Sequence, residues 1–271
     1  MKFRLAKWYL DCVSADGNLF IGYAASLSVG AIPLHLVGRV TMIDGKVRQE
    51  AAATWADQAP TETGAELTWR CQKLELVGTW KARLPSATKT IFERDEGRVV
   101  WHCAQPLADA SVVWSGNARL RGLGYAERLE MDIGPLDMGL TRLHWGRFLS
   151  DDTSLVWIKW TGKESRLIVF HNGAEMPGAS LENDRLIVGK ELHLQWNDSV
   201  PIRTGQLKDS VLPSLPLLKK VLPDWIGRIT EHKWRSRGKL MRGDNPGSDG
   251  WVIHEEVIFE DRTQKGLAGD I

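Results

Sequence analysis

Tyr125-Ala126-Glu127-Arg128-Leu129-Glu130-Met131-Asp132 alternates without a break. Ala126, Arg128, Glu130 and Asp132 make one face, polar enough to meet water, and Tyr125, Glu127, Leu129 and Met131 make the other. The segment reads as a half-buried strand with a single carboxylate stranded in its apolar row. Near the other end of the sequence Trp251, Ile253, Glu255, Val257 and Phe259 share one side of a second such strand, again with one carboxylate. The offset from Glu127 to Glu255 is 128 residues, and it carries Tyr125 onto Ile253, Leu129 onto Val257 and Met131 onto Phe259. A strand repeated together with its anomaly predicts a doubled, all-β chain.

The same period of two recurs in Leu67-Thr68-Trp69-Arg70-Cys71-Gln72 and in Leu192-His193-Leu194-Gln195-Trp196. Turn chemistry punctuates it at Ala15-Asp16-Gly17-Asn18, Asp44-Gly45, Asp95-Glu96-Gly97, His171-Asn172-Gly173 and Asp249-Gly250. Gly122-Leu123-Gly124 lies between strands with no helix after it, so it reads as turn punctuation and not as a dinucleotide loop. The start of the chain lies on its middle with one gap, Trp8 on Trp145 and Leu19 on Leu155, and Trp114-Ser115-Gly116 resembles Trp234-Arg235-Ser236. The predicted architecture is two related β-barrel or β-sandwich domains, 1–134 and 135–271, with the seam near Ile133-Gly134-Pro135. One stretch departs from the β pattern: Ser214 can cap and Pro223 can end a short helical insert near 214–222, a plug for a barrel end, a lid or a membrane-touching element.

Composition narrows the function classes. With 43% hydrophobic residues in 271, the chain can bury two cores. Lys and Arg number 35 against 34 Asp and Glu, which provides no broad field for phosphate backbones, so nucleic-acid binding is not expected. The three cysteines form no CxxC pair and the seven histidines no i, i+4 pair, so neither a metal site nor a disulfide framework is expected. The segment Met1–Cys12 lacks the apolar run of a signal peptide and no stretch reaches the ~20 apolar residues of a membrane span, which points to the cytoplasm, with peripheral membrane contact left open. The 13 tryptophans serve either a core or an apolar ligand pocket. Trp69 and Trp114 are the leading candidates for pocket walls, followed by Trp101 and Trp157.

No GxSxG motif or cysteine signature supports covalent hydrolysis. The chemistry therefore rests on the two glutamates. A carboxyl group facing a dry interior has its charged form disfavoured and becomes a proton donor, the group needed to protonate an alkene or steer a cyclisation. Glu127 is the candidate catalytic acid, with Tyr125 on the same face to orient it, and Glu255 is a binding candidate. Against this stands a structural reading in which each glutamate is ionised and tied to an arginine such as Arg119 or Arg147, or to backbone N–H groups.

Cys103-Ala104-Gln105-Pro106-Leu107-Ala108, then Trp114, then Gly122-Leu123-Gly124-Tyr125-Ala126-Glu127, then Leu143-His144-Trp145-Gly146-Arg147-Phe148 resemble the lipocalin-like carotenoid 1,2-hydratase (hydroxyneurosporene synthase) family, with tocopherol cyclases and lipocalin-like Diels–Alderases as distant relatives. The similarity is strongest over residues 99–160. It implies a tandem of two lipocalin-like (calycin) β domains, a small hydrophobic ligand, no cofactor, and a proton donor at the position of Glu127. This chain carries Glu followed by Arg128-Leu129 where the hydratases have Asp in a more polar run. That departure leaves isomerisation and cyclisation open beside hydration. The expected activity is thus that of a cofactor-independent hydratase or cyclase, of the lyase or isomerase class, acting on an isoprenoid- or polyketide-like molecule. The alternatives are a noncatalytic lipid or pigment carrier and a stress-related protein.

Overall fold

The computed structural model describes residues 3–29, 32–116, 118–210, 227–243 and 245–259. The helical insert expected near 214–222 lies outside the described residues. The chain builds two curled antiparallel sheets in succession, the tandem lipocalin-like arrangement. The first comprises β1 (Phe3–Val13), β2 (Leu19–Val29), β3 (Ile32–Ile43), β4 (Lys46–Thr54), β5 (Thr61–Thr63), β6 (Glu66–Cys71), β7 (Leu76–Ala82), β8 (Ala87–Arg94), β9 (Gly97–Trp114) and β10 (Ala118–Met131). The second comprises β11 (Leu140–Leu149), β12 (Ser154–Gly162), β13 (Arg166–His171), β14 (Ala174–Glu175), β15 (Ala179–Glu182), β16 (Arg185–Val188), β17 (Leu192–Gln206), β18 (Thr230–Arg242) and β19 (Asn245–Ile258). The strands pair in the orders β4-β3-β2-β1-β10-β9-β7-β6-β5 and β14-β13-β12-β11-β19-β18-β17-β16-β15, so in each sheet the first strand pairs with the last.

Local chemistry sets the hairpins. Asp44 and Gly45 turn with φ of 50° and 74° between Ile43 and Lys46, and Asn172 and Gly173 with 50° and 82° between His171 and Ala174. Two successive left-handed residues match the twist of antiparallel strands, which is why Asp-Gly and Asn-Gly occur there. Two expected turns are not turns. Gly122-Leu123-Gly124 lies inside β10 and Asp249-Gly250 inside β19, where the glycines serve close approach instead. A Cβ on Gly122 would come within 2.0 Å of the Val13 carbonyl oxygen, and one on Gly250 within 2.1 Å of that of Leu149. These two glycines are again 128 residues apart, each pressed against the end of the first strand of its own half.

Register corrects the alignment of the start of the chain with its middle. Tyr9 faces Glu127 across β1 and β10, and Trp145 faces Glu255 across β11 and β19. Trp145 is therefore the counterpart of Tyr9 and not of Trp8, and a slip of one residue places a side chain on the opposite face. Trp114 and Trp234 do not correspond either: Trp114 ends β9 beside the hairpin, whereas Trp234 lies in the middle of β18.

Each sheet has two apolar faces and buries both. Leu10, Cys12, Trp69, Trp80 and Ala126 belong to a core held within the first sheet, and Phe148, Trp157, Val169, Trp196 and Leu240 to one within the second. Between the sheets lies a third core to which both contribute, with Tyr9, Trp101 and Tyr125 from one side and Trp145, Phe170 and Ile253 from the other. Ala126 was expected to meet water but is fully buried in the first sheet's own core, and Arg128 beside it lies 5.9 Å over the Trp8 ring. The face of Tyr125, Glu127, Leu129 and Met131 turns outward from that core, toward the second sheet.

A buried ion pair joins the two halves. Arg147 is 0% exposed and bonds both carboxylate oxygens of Asp11, at 2.9 and 2.8 Å, and the Trp251 carbonyl at 2.8 Å. Tyr9 donates to the same carboxylate at 3.0 Å. The indole N–H of Trp80, packed against Gly124, bonds the Asp11 carbonyl at 2.7 Å. Arg147 is thus committed to Asp11 and does not hold Glu127.

Candidate active site between the two sheets

Glu127 projects from β10 into the seam between the sheets. Its Oε2 accepts hydrogen bonds from the Tyr125 hydroxyl at 2.5 Å, the Trp101 indole N–H at 2.6 Å and the Trp145 indole N–H at 3.2 Å. Tyr125 reaches it because residues i and i+2 of a strand share a face. Trp101 comes from β9 and Trp145 from the second sheet, so both halves complete the arrangement. Among the described residues no cation pairs with the carboxyl group and nothing bonds Oε1. Burial is the largest influence and raises the Glu127 carboxyl above its usual value, while its three donors and the more distant Lys7 oppose that rise. With Oε2 occupied by three donors, a proton on the carboxyl group resides on Oε1, the oxygen left free to donate it.

The donors are themselves braced. Trp101 stacks on Phe170 of the second sheet, with centroids 4.4 Å apart. Trp145 lies 4.9 Å from Tyr9 and 5.9 Å from Tyr125 in edge-on or tilted contacts. A bulge in β9 sets Cys103 and Ala104 opposite the single residue Glu127, between the pairs Ala126–Gln105 and Arg128–His102. The Cys103 thiol, pushed up by burial, adjoins the Tyr125 hydroxyl.

Glu255 has different company on the same interdomain surface. It pairs with Lys233, its direct neighbour across β18 and β19. Lys233 also bonds Glu231 at 3.2 Å and the Tyr23 hydroxyl at 2.7 Å, and Arg203 bonds Glu231 at 3.0 Å. Burial acts to raise the Glu231 carboxyl, but Lys233 and Arg203 win and hold it down at about 2. Burial opposes the charge on Lys233, yet Glu255, Tyr23 and Glu231 keep its ammonium group above the ordinary lysine value. The arginine expected to hold a glutamate is thus a lysine, and of the two glutamates Glu127 and Glu255 it pairs with Glu255.

The structure therefore brings Tyr125 and Trp101 onto Glu127 and sets Glu255 in an ion-paired cluster. Trp69 and Trp114 face the core within the first sheet, and Trp157 stacks on Trp196, centroids 5.2 Å apart, within the second. A cleft of about 470 Å³ at the end of the first sheet, where β10 runs on toward β11, is lined by Phe3 and Ile133 with four acids, Asp95, Glu96, Asp132 and Asp137, and by neither Glu127 nor any of these tryptophans. Sequence reasoning missed Trp145, Tyr9, Tyr23, Lys7, Arg203 and Lys233. One signal was available: all three tyrosines of the chain, Tyr9, Tyr23 and Tyr125, meet in this seam. Lys7 and Lys233, each alternating with inward residues, were a second.

The fold is that of two lipocalin-like β domains in tandem. Among solved structures it is similar to a Nitrosomonas europaea protein described as an AttH, at a TM-score of 0.59 and 12% identity over 96% of this chain and 94% of that one. It is also similar to kievitone hydratase from Nectria haematococca, at 0.53 and 8% over 94% and 89%, and to CghA, at 0.51 and 11% over 96% and 89%. No family model and no curated protein matches the sequence. Among the described residues no helix is long and apolar enough to cross a membrane.

Proposed function

We propose that the seam between the sheets binds a small hydrophobic molecule, isoprenoid- or polyketide-like, and that Glu127 protonates it from Oε1 in a hydration, isomerisation or cyclisation that needs no cofactor. The observation carrying this reading is the carboxyl group itself. Three neutral donors fix one of its oxygens, the other is unoccupied, and among the described residues no cation forms an ion pair with it. Tyr125 orients the acid, while the indole rings of Trp101 and Trp145, which bond it, lie near any carbocation formed beside it and stabilise that charge. Glu255 helps shape the far side of the site from within its ion-paired cluster. Trp69, Trp114 and Trp157 support the two sheets from their other faces. The fold shared with a hydratase adds weight to the chemistry, as does the resemblance around Glu127.

Incubation with polyenes in D2O tests the reading, with deuterium incorporation read by mass spectrometry. Label enters substrate with the native protein, and Glu127→Gln lowers the rate by about 10²–10⁴-fold, the usual contribution of a general acid. Uptake unchanged by Glu127→Gln would remove Glu127 from the mechanism. A lipid that copurifies and is returned unaltered would favour the carrier.

A further inference from the structure

Lys7 projects from β1 on the same interdomain face as Tyr9, between Glu127 and the ion-paired cluster, close enough to lower the carboxyl groups of both Glu127 and Glu231. Among the described residues it has no hydrogen bond and no ion pair. Its Nζ lies 5.3 Å over the Tyr23 ring. Arg203 approaches the same ring, 5.4 Å from its centroid. The Arg203 side chain is only 10% exposed; one of its terminal nitrogens bonds Glu231, while its buried Nε has no partner. A buried N–H without an acceptor is costly, and the cost is recovered when a ligand supplies one. Lys233, by contrast, already spends its three N–H groups on Glu255, Glu231 and Tyr23.

The charges around Tyr23 do not cancel. Lys7, Lys233 and Arg203 face Glu231 and Glu255, leaving one positive charge without a counter-ion while Glu127 is protonated. Leu5, Leu129 and Leu143 are partly exposed and packed on the shared core, and Leu129 stands directly across from Lys7 on the neighbouring strand.

We infer that the ligand of the seam is a hydrophobic acid whose carboxylate is held by Lys7 Nζ and Arg203 Nε, while its apolar chain lies along Leu5, Leu129 and Leu143 beside Glu127. The inference rests on the proposed function and deepens it by naming the ligand's polar end. One uncompensated cation suits a single carboxylate; a phosphate ester would bring up to two negative charges. Anchoring the acid at Tyr23 would also fix which double bond stands before Glu127, a positional selection that an apolar seam alone lacks.

The experiment titrates the protein with cis-parinaric acid and with its methyl ester, following polyene fluorescence below the aggregation concentration of either probe. The native protein binds the acid about tenfold more tightly than the ester, the net gain left when a carboxylate trades its hydration for the Lys7 and Arg203 contacts. Lys7→Met keeps the side-chain stem on Tyr23 and removes the one charge without a counter-ion, so most of the preference is lost and the acid's Kd comes to within about twofold of the ester's. Ester binding stays unchanged and reports that the variant is folded, and Lys7→Arg retains the preference. Equal affinity of the native protein for acid and ester, or a preference that Lys7→Met leaves above about twofold, would overturn the anionic subsite and leave the apolar seam and the Glu127 acid standing. Failure of both probes to bind would overturn the subsite and the seam together.

Discussion

Glu127 and Glu255 hold one position in two halves of a doubled fold, and their surroundings are opposite. Each sits alone in the apolar row of its half's last strand, and each faces an aromatic residue of the first strand, Tyr9 or Trp145. What differs is the neighbouring strand. Across from Glu255 stands Lys233, which draws in Glu231, Arg203 and Tyr23. Across from Glu127 the β9 strand bulges, presenting Cys103 and Ala104, and the carboxyl group is left to the neutral donors of Tyr125, Trp101 and Trp145. One lysine thus separates an ion pair from an acid. A glutamate in a greasy row is a reactive group only where the adjacent strand withholds a cation.

Lys233→Met is the strongest way to break this comparison. It leaves Glu255 and Glu231 with one cation fewer in a buried site, and stability falls by about 3–5 kcal/mol in chemical denaturation. Glu127→Gln, which retains shape and strands no charge, changes stability by less than about 1 kcal/mol near neutrality. Similar losses for the two variants would show that the clusters are not opposites.

The next effect is one of sign. Glu231 is held at about 2 when folded, against the 4.5 of an ordinary glutamate, so its contribution is present above 4.5 and is lost as pH falls toward 2. Glu127 is raised when folded, so its contribution is present below 4.5 and is lost as pH rises through its folded value. Unfolding free energies of the native protein and Glu127→Gln across this range should diverge toward higher pH, with the variant gaining. A difference that does not move with pH would mean that Glu127 is not raised.

The smallest effect concerns the donors. Trp101→Phe removes the 2.6 Å hydrogen bond that favours the ionised form. The Glu127 carboxyl then rises further, and the alkaline fall of the pH–rate profile shifts to higher pH. Trp145→Phe, at 3.2 Å, shifts it the same way by less. A shift to lower pH would contradict the assignment of these indoles as donors to the carboxylate.

Much of the architecture was legible because it is written locally. Alternation over Tyr125–Met131 and its return 128 residues later revealed the strands and the doubling, and Asp44-Gly45 and Asn172-Gly173 marked true hairpins. Gly122 and Gly250 misled as turn signals because a glycine needed for close approach looks, in sequence, like one needed for a positive φ. Matching tryptophans paired Trp145 with Trp8, but strand register pairs it with Tyr9, and no composition encodes a shift of one residue.

What the sequence determined by itself was that Glu127 stands alone among apolar neighbours on its own strand, because side chains of one strand sort by parity alone. Only the tertiary structure decided that this face meets a second sheet and not the inside of its own, that Trp145 arrives from the other half, and that Lys233 pairs with Glu255 while, among the described residues, only neutral donors bond Glu127. The Trp145 and Lys233 contacts join residues 18 and 22 positions apart, through strand pairing and the docking of two sheets. Such proximity follows from how both whole halves curl and pack, and no local pattern carries it.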